Sequence, residues 1–199
     1  MDASISDLRS EIFTSATASP HVTEADIHGS IPKWVAGIFI RVGPGKFEWG
    51  DSKYNHWFDG DAVVYRFEIG DGKVSFLSRF LRSCSYVAAE REGRIVVSRF
   101  ATNAVPEPCQ NIFARYASHF TAPLQEDNCN DTITMIKGET YVAGDLLSLW
   151  QINKKSIEIT GSMDVAEKLP GLYFISSVSL SLDFDAQVGL EERRLVSLG

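Results

Sequence analysis

At 199 residues, with 44% hydrophobic and 23% charged side chains, the chain is long enough for one domain or part of a larger one and short for two independent cores. That composition fits neither global disorder nor a polytopic membrane protein. With 19 basic and 26 acidic residues the formal charge is −7, which disfavours attraction to phosphate backbones, so no nucleic-acid partner is expected. Cys84, Cys109 and Cys129 are too few and too unevenly spaced for a disulfide framework, and none forms a Cys-x-x-Cys pair, so a reducing compartment is expected. The first ten residues carry neither an apolar secretory core nor the Arg-rich character of a transit peptide, which predicts cytosolic synthesis. Asn130-Asp-Thr132 then satisfies the glycosylation pattern by chance.

In chain order, short apolar or alternating segments separated by turn formers predict strands. Gly37 to Val42 runs into a predicted break at Gly43-Pro-Gly45. Val63 to Ile69, Gly70-Asp-Gly72 and Val74 to Phe80 predict a hairpin. Further strands are predicted at Arg94 to Phe100, Asp131 to Ile136, Thr140 to Ala143, Leu147 to Ile152 and Ile157 to Ile159. Lys137-Gly-Glu139 and Asn153-Lys-Lys-Ser156 serve as turns. Roughly eight strands in succession predict an all-β meander that closes as a sandwich, a barrel or successive propeller blades, and spacing alone does not choose among these. One helical stripe, Ile112, Phe113, Tyr116, Ala117 and Phe120, follows Pro106-Glu-Pro-Cys109 and reads as a crossover helix covering a sheet or as a membrane-docking face.

The densest special segments are Ile31 to Phe47 and Tyr54-Asn-His-Trp-Phe-Asp-Gly-Asp61. The glycines flanking Pro44 permit a tight turn but lack the spacing of a phosphate-binding loop. His56 beside Asp59 and Asp61 imitates a metal cluster, yet neighbours on a strand point to opposite faces and rarely share an ion.

Together, Pro32-Lys-Trp-Val-Ala-Gly37, Arg41-Val-Gly-Pro-Gly-Lys-Phe47, Asn55-His-Trp-Phe-Asp-Gly60, Ser78-Arg-Phe-Leu81 and Pro106-Glu-Pro-Cys-Gln-Asn-Ile-Phe113 resemble the carotenoid cleavage oxygenase family. The nearest branches are the animal carotene oxygenases and the retinoid isomerohydrolase. The resemblance implies the N-terminal blades of a seven-bladed β-propeller, incomplete in this chain. Residues 1–169 form that part, and 170–199 are a divergent tail whose abrupt onset suggests an alternative transcript or imperfect gene model. It also implies oxidative cleavage of a carotenoid or apocarotenoid double bond by dioxygen, at an Fe(II) held by four histidines.

His21, His28, His56 and His119 match none of those ligand contexts, so no catalytic residue, no metal ligand and no iron are expected in this chain, which is expected to be inactive alone. Asp145 stands where the family has a glutamate supporting an iron histidine. By the same resemblance Cys109, Ile112, Phe113, Tyr116 and Phe120 are membrane-contact candidates. Cys109 is open to acylation or, alternatively, is a buried free thiol. A carotenoid or retinoid is the implied partner, with the chain cytoplasmic and peripheral on membranes. A noncatalytic lipid or carotenoid binder, or a regulatory fragment, is the alternative.

Overall fold

A computed structural model describes residues 12–106, 124–144 and 148–165. Two four-stranded antiparallel sheets form its framework. The first has the order β1 (Thr23–Glu24), β6 (Lys73–Phe80), β5 (Asp61–Gly70) and β2 (Gly37–Lys46). Between β2 and β5 lie a small ladder, β3 (Glu48–Trp49) with β4 (Ser52–Lys53), and a single 3₁₀ turn at Trp57–Asp59. After β6 comes helix α1 (Cys84–Glu92). The second sheet is a plain meander of β7 (Thr132–Ile136), β8 (Glu139–Ala143), β9 (Ser148–Ile152) and β10 (Ile159–Asp164).

Alternation in β5 sets the packing. Its register puts Val64 opposite Val42 and Arg66 opposite Ile40 and Leu77, on the face turned toward the second sheet. Ala62, Val64, Leu77 and Leu81 meet Cys129, Val142, Ile152 and Ile157 there, all buried, so the main core lies between the sheets. The opposite face carries the cross-strand row Phe39, Phe67 and Phe76. The predicted hairpin forms between β5 and β6, with Asp71 and Gly72 both at positive φ (51° and 74°), as its twist requires.

Four expectations need correction. Gly43-Pro-Gly45 does not break the strand: β2 continues to Lys46 with a bulge between Pro44 and Lys46. Pro44 is tolerated because β2 is an edge strand. A Cβ on Gly45 would fall 2.2 Å from Cγ1 of Val63, so the glycine lets the two strands approach. Arg94 to Phe100 is irregular, although Ile95 and Val97 are buried: its backbone bonds to its own following loop, the Arg99 amide to Thr102 O and the Val105 amide to Ile95 O, while the Arg99 side chain reaches Asp59 and Asp61. The last strand begins at Ile159, with Ile157 at φ 50° in the preceding turn, where Asn153 Oδ1 accepts the amides of Lys155 and Ser156. Helix α1 was not anticipated, since its apolar residues do not repeat cleanly at helical spacing. Ser83 caps its start, Gly93 at φ 63° its end, and Tyr86 and Ala89 bury against Trp49, Tyr54 and Ile95. The predicted stripe from Ile112 to Phe120 lies outside the described residues.

Candidate functional site

The motif Asn55 to Asp61 sits at the foot of β5, where the chain makes its 3₁₀ turn. His56 opens that turn, its Nδ1 accepting the Phe58 amide at 3.2 Å. Asp59 and Asp61 are 0% and 1% exposed, and buried carboxylates require donors. Asp59 accepts the Thr102 hydroxyl at 2.6 Å and the Ala101 amide at 3.2 Å. Asp61 accepts Trp49 Nε1 at 2.7 Å, the Tyr54 hydroxyl at 3.3 Å and Arg99 Nη2 at 2.5 Å.

Arg99 is the hub. Its guanidinium also donates to the Asp59 carbonyl, lies 4.6 Å over the Tyr54 ring, and sets Nε 3.2 Å from Glu126 Oε2. That last contact is an ion pair without hydrogen-bond geometry. The segment linking the two sheets closes the site. Asn128 donates to Gly60 O at 2.9 Å and accepts the Ala62 amide at 3.0 Å, while Asn130 donates to the carbonyls of Phe58 and Gly60 at 2.8 Å. One residue back, Asp127 caps α1 by accepting the Cys84 and Ser85 amides at 2.7 and 3.1 Å.

Burial alone would lower the Arg99 pKa, but Asp61 and Glu126 outweigh it and hold the guanidinium charged. Burial and the Asp61 charge push the Tyr54 phenol well above its ordinary range. Burial pushes Glu126 up to about 7 against the pull of Arg99. A fixed cation therefore fills the space between Asp61 and Glu126, and the other lone pairs of Asp59 and Asp61 are engaged by amides and hydroxyls. These contacts hold the Phe58 to Ala62 backbone in place. His56 to Asp59 form a turn, not the strand expected, and Arg99 rather than a metal sits against Asp61.

Among the described residues, no three His, Cys, Asp or Glu side chains come together as metal ligands, and His21 and His28 are exposed. His56 stacks edge-on against Phe58 and Phe100, at 4.8 and 5.1 Å between centroids. Asp145, Cys109, Ile112, Phe113, Tyr116, Phe120 and His119 all lie outside the described residues. Sequence reasoning did not single out Arg99, Glu126, Tyr54 or Trp49. The available signal was an arginine inside the apolar run Ile95-Val-Val-Ser-Arg-Phe100, because a charge carried into a core needs a carboxylate brought by another segment.

Two four-stranded antiparallel sheets, laid face to face and joined by one connection, define blades of an incomplete β-propeller. A family model described as retinal pigment epithelial membrane protein, RPE65, matches residues 13–180, and the chain belongs to that family of carotenoid oxygenases. It is 39% identical over 153 residues to the mitochondrial carotenoid-cleaving dioxygenase of Mustela putorius furo, covering 77% of this chain and 28% of that protein. It is 42% identical over 143 residues to the beta,beta-carotene 15,15'-dioxygenase of Rattus norvegicus, covering 70% of this chain and 25% of that protein. The chain thus spans about a quarter of the length of these curated relatives. Among solved structures, cobalt-substituted Synechocystis ACO superposes with a TM-score of 0.62 at 25% identity, covering 77% of this chain and 31% of that one. An ACO/RPE65 chimera gives 0.61 at 25% identity over the same shares.

Proposed function

We propose that this chain supplies the first blades of a carotenoid-cleaving oxygenase, an enzyme that splits a polyene double bond of a carotenoid or apocarotenoid with dioxygen, and that these residues alone do not catalyse the reaction. The observation that carries the reading is 39% identity to a carotenoid-cleaving dioxygenase over 77% of this chain but 28% of that relative. The division into residues 1–169 as propeller and 170–199 as divergent tail belongs to the same proposal.

Iron is the cofactor implied by the resemblance, and the described residues do not fit it. The buried carboxylate cluster of Asp59, Asp61 and Glu126 is filled by Arg99, and His56 Nδ1 is already an acceptor for the Phe58 amide. The chain's own part is mechanical: Arg99, Asp59, Asp61, Asn128 and Asn130 lock the first sheet to the segment that opens the second. Membrane contact through Cys109 and the Ile112 to Phe120 stripe, in a cytoplasmic peripheral protein, completes the reading. No described helix is long and apolar enough to cross a membrane.

A noncatalytic carotenoid or lipid binder is the second reading, favoured by the exposed rings of Phe58 (60%) and Phe100 (78%) around His56. The test loads the purified chain anaerobically with Fe(II), measures bound metal, then adds β-carotene and oxygen. Less than one iron per chain and no aldehyde product are expected. One iron per chain, lost on mutating His56 and His119 and accompanied by oxygen-dependent cleavage, overturns the proposal. Saturable tryptophan quenching by an apocarotenoid without iron selects the second reading.

A further inference from the structure

The pair Asp-Gly occurs at residues 59–60 and again at 71–72, and the fold treats the two differently. An aspartate followed by glycine is chemically labile, because no Cβ beside the glycine amide hinders its attack on the preceding side chain. Ring closure needs a carboxyl free to turn back on the main chain, an amide not engaged as a donor, and room for water. Asp59 has none of these. It is 0% exposed and held by the Thr102 hydroxyl at 2.6 Å and the Ala101 amide at 3.2 Å. The Gly60 amide donates to the Trp57 carbonyl at 3.2 Å, and Phe47 and Pro44 crowd the glycine.

Asp71 has all three. It lies exposed at the tip of the β5–β6 hairpin, with itself and Gly72 at positive φ, and the ladder closes at the Gly70–Lys73 pair, which leaves the Gly72 amide outside it. Neither the Asp71 carboxylate nor the Gly72 amide has a hydrogen-bond or ion-pair partner among the described residues. A Cβ on Gly72 would meet nothing within 4 Å, so the tip is open. The adjacent cation, Lys73, is turned to Glu24 at 3.1 Å instead.

We propose that Asp71 is a site of spontaneous modification to isoaspartate, and that between the two Asp-Gly pairs the fold confines the reaction to it. The Gly72 nitrogen bonds to Asp71 Cγ, and the carboxyl hydroxyl leaves as water with the amide proton. Water then opens the imide at the former main-chain carbonyl, so the backbone runs through the β-carboxyl and a free α-carboxylate remains; opening at the other carbonyl restores aspartate. One water is lost and one gained, and no oxidant or cofactor is needed. The product adds one methylene to the backbone of a two-residue loop, whose length fixes hairpin register. The Ile69–Val74 end therefore loosens, while the buried Val64 and Leu77 end stays in place. The inference is independent of the oxygenase reading.

Ageing the whole chain at neutral pH, folded and in urea, tests it by peptide mapping and by methyl transfer from labelled S-adenosylmethionine with an isoaspartyl O-methyltransferase. In the folded chain isoaspartate at Asp71 should exceed that at Asp59 by about tenfold or more, because Asp59 must first break its buried hydrogen bonds. In urea the two should react at similar rates. Asp71→Gly suits the positive φ of that position, so this variant folds, and it should lose most of the methyl acceptance of the aged folded chain. Equal accumulation at both positions in the folded chain, no isoaspartate at Asp71, or unchanged methyl acceptance in Asp71→Gly overturns the proposal, and the first two need no variant.

Discussion

The Arg99 guanidinium meets the Asp61 carboxylate at 2.5 Å with only 4% and 1% of the two side chains exposed. Removing one partner of such a pair leaves the other charge buried and uncompensated, and here Glu126 is stranded as well. Arg99→Leu should therefore cost about 3 to 5 kcal/mol in urea unfolding. Arg99→Lys should fall between, because an ammonium cannot bridge Asp61, the Asp59 carbonyl and Glu126 together. Wild-type stability in Arg99→Leu would show that the cluster does not hold the fold.

Glu126 holds its proton up to about pH 7 in the folded chain because burial penalises the carboxylate, whereas the unfolded chain releases it near the ordinary carboxylate value. The folded state then binds more protons than the unfolded one between those two values, so stability contributed by this group rises as pH falls from about 8 to about 5. Glu126→Gln should flatten that slope and be at least as stable as the parent near pH 8. Unfolding midpoints of both proteins across this range are the measurement, and identical slopes would count against the assignment.

Gly60 and Gly45 are sites of close approach. A Cβ on Gly60 would lie 2.6 Å from the Phe47 ring and 2.9 Å from Pro44 Cβ, and one on Gly45 would strike Val63. Each substitution to alanine should destabilise by about 1 to 3 kcal/mol through overpacking. Gly43→Ala, with nothing within 4 Å of its Cβ, is the control expected to stay near neutral.

Asp127 caps helix α1 and raises the Cys84 thiol pKa, burial contributing more than its charge. Asp127→Ala should cost about 1 to 2 kcal/mol, the usual loss of a cap. Asp127→Asn should speed iodoacetamide labelling of Cys84 near pH 8, read peptide by peptide. Cys129, fully buried and donating to the Ser148 carbonyl, should label only on unfolding.

For the membrane contact, liposome flotation of Phe113→Ser and Phe120→Ser against the parent is decisive. Loss of flotation with the fold intact is expected. Unchanged flotation removes the stripe as the contact, and unfolding shows that it covers a sheet.

The hairpin of β5 and β6 and the three meander strands from Thr132 to Ile152 were legible from alternation and turn chemistry, because those signals are local. The motif residues around Gly43-Pro-Gly45 and His56 to Asp61 marked the family, yet their physical roles were not readable. Gly-Pro-Gly has the composition of a turn, and only its place on an edge strand against Val63 makes it a bulge. Likewise Asp59 and Asp61 beside a histidine have the composition of a metal site. Only tertiary structure brings Arg99 and Glu126 to them from 38 or more residues along the chain, and that guanidinium decides the chemistry. Helix α1 was missed because its buried face is defined by Trp49 and Tyr54 rather than by a stripe of its own, and Asp127, which adds to the local Ser83 cap, comes from far along the chain. Sequence thus determined the hairpin, the meander strands from Thr132 to Ile152 and the family, through patterns that span a few residues. Which charges meet, and what they leave room for, was decided by packing between segments that the sequence keeps far apart.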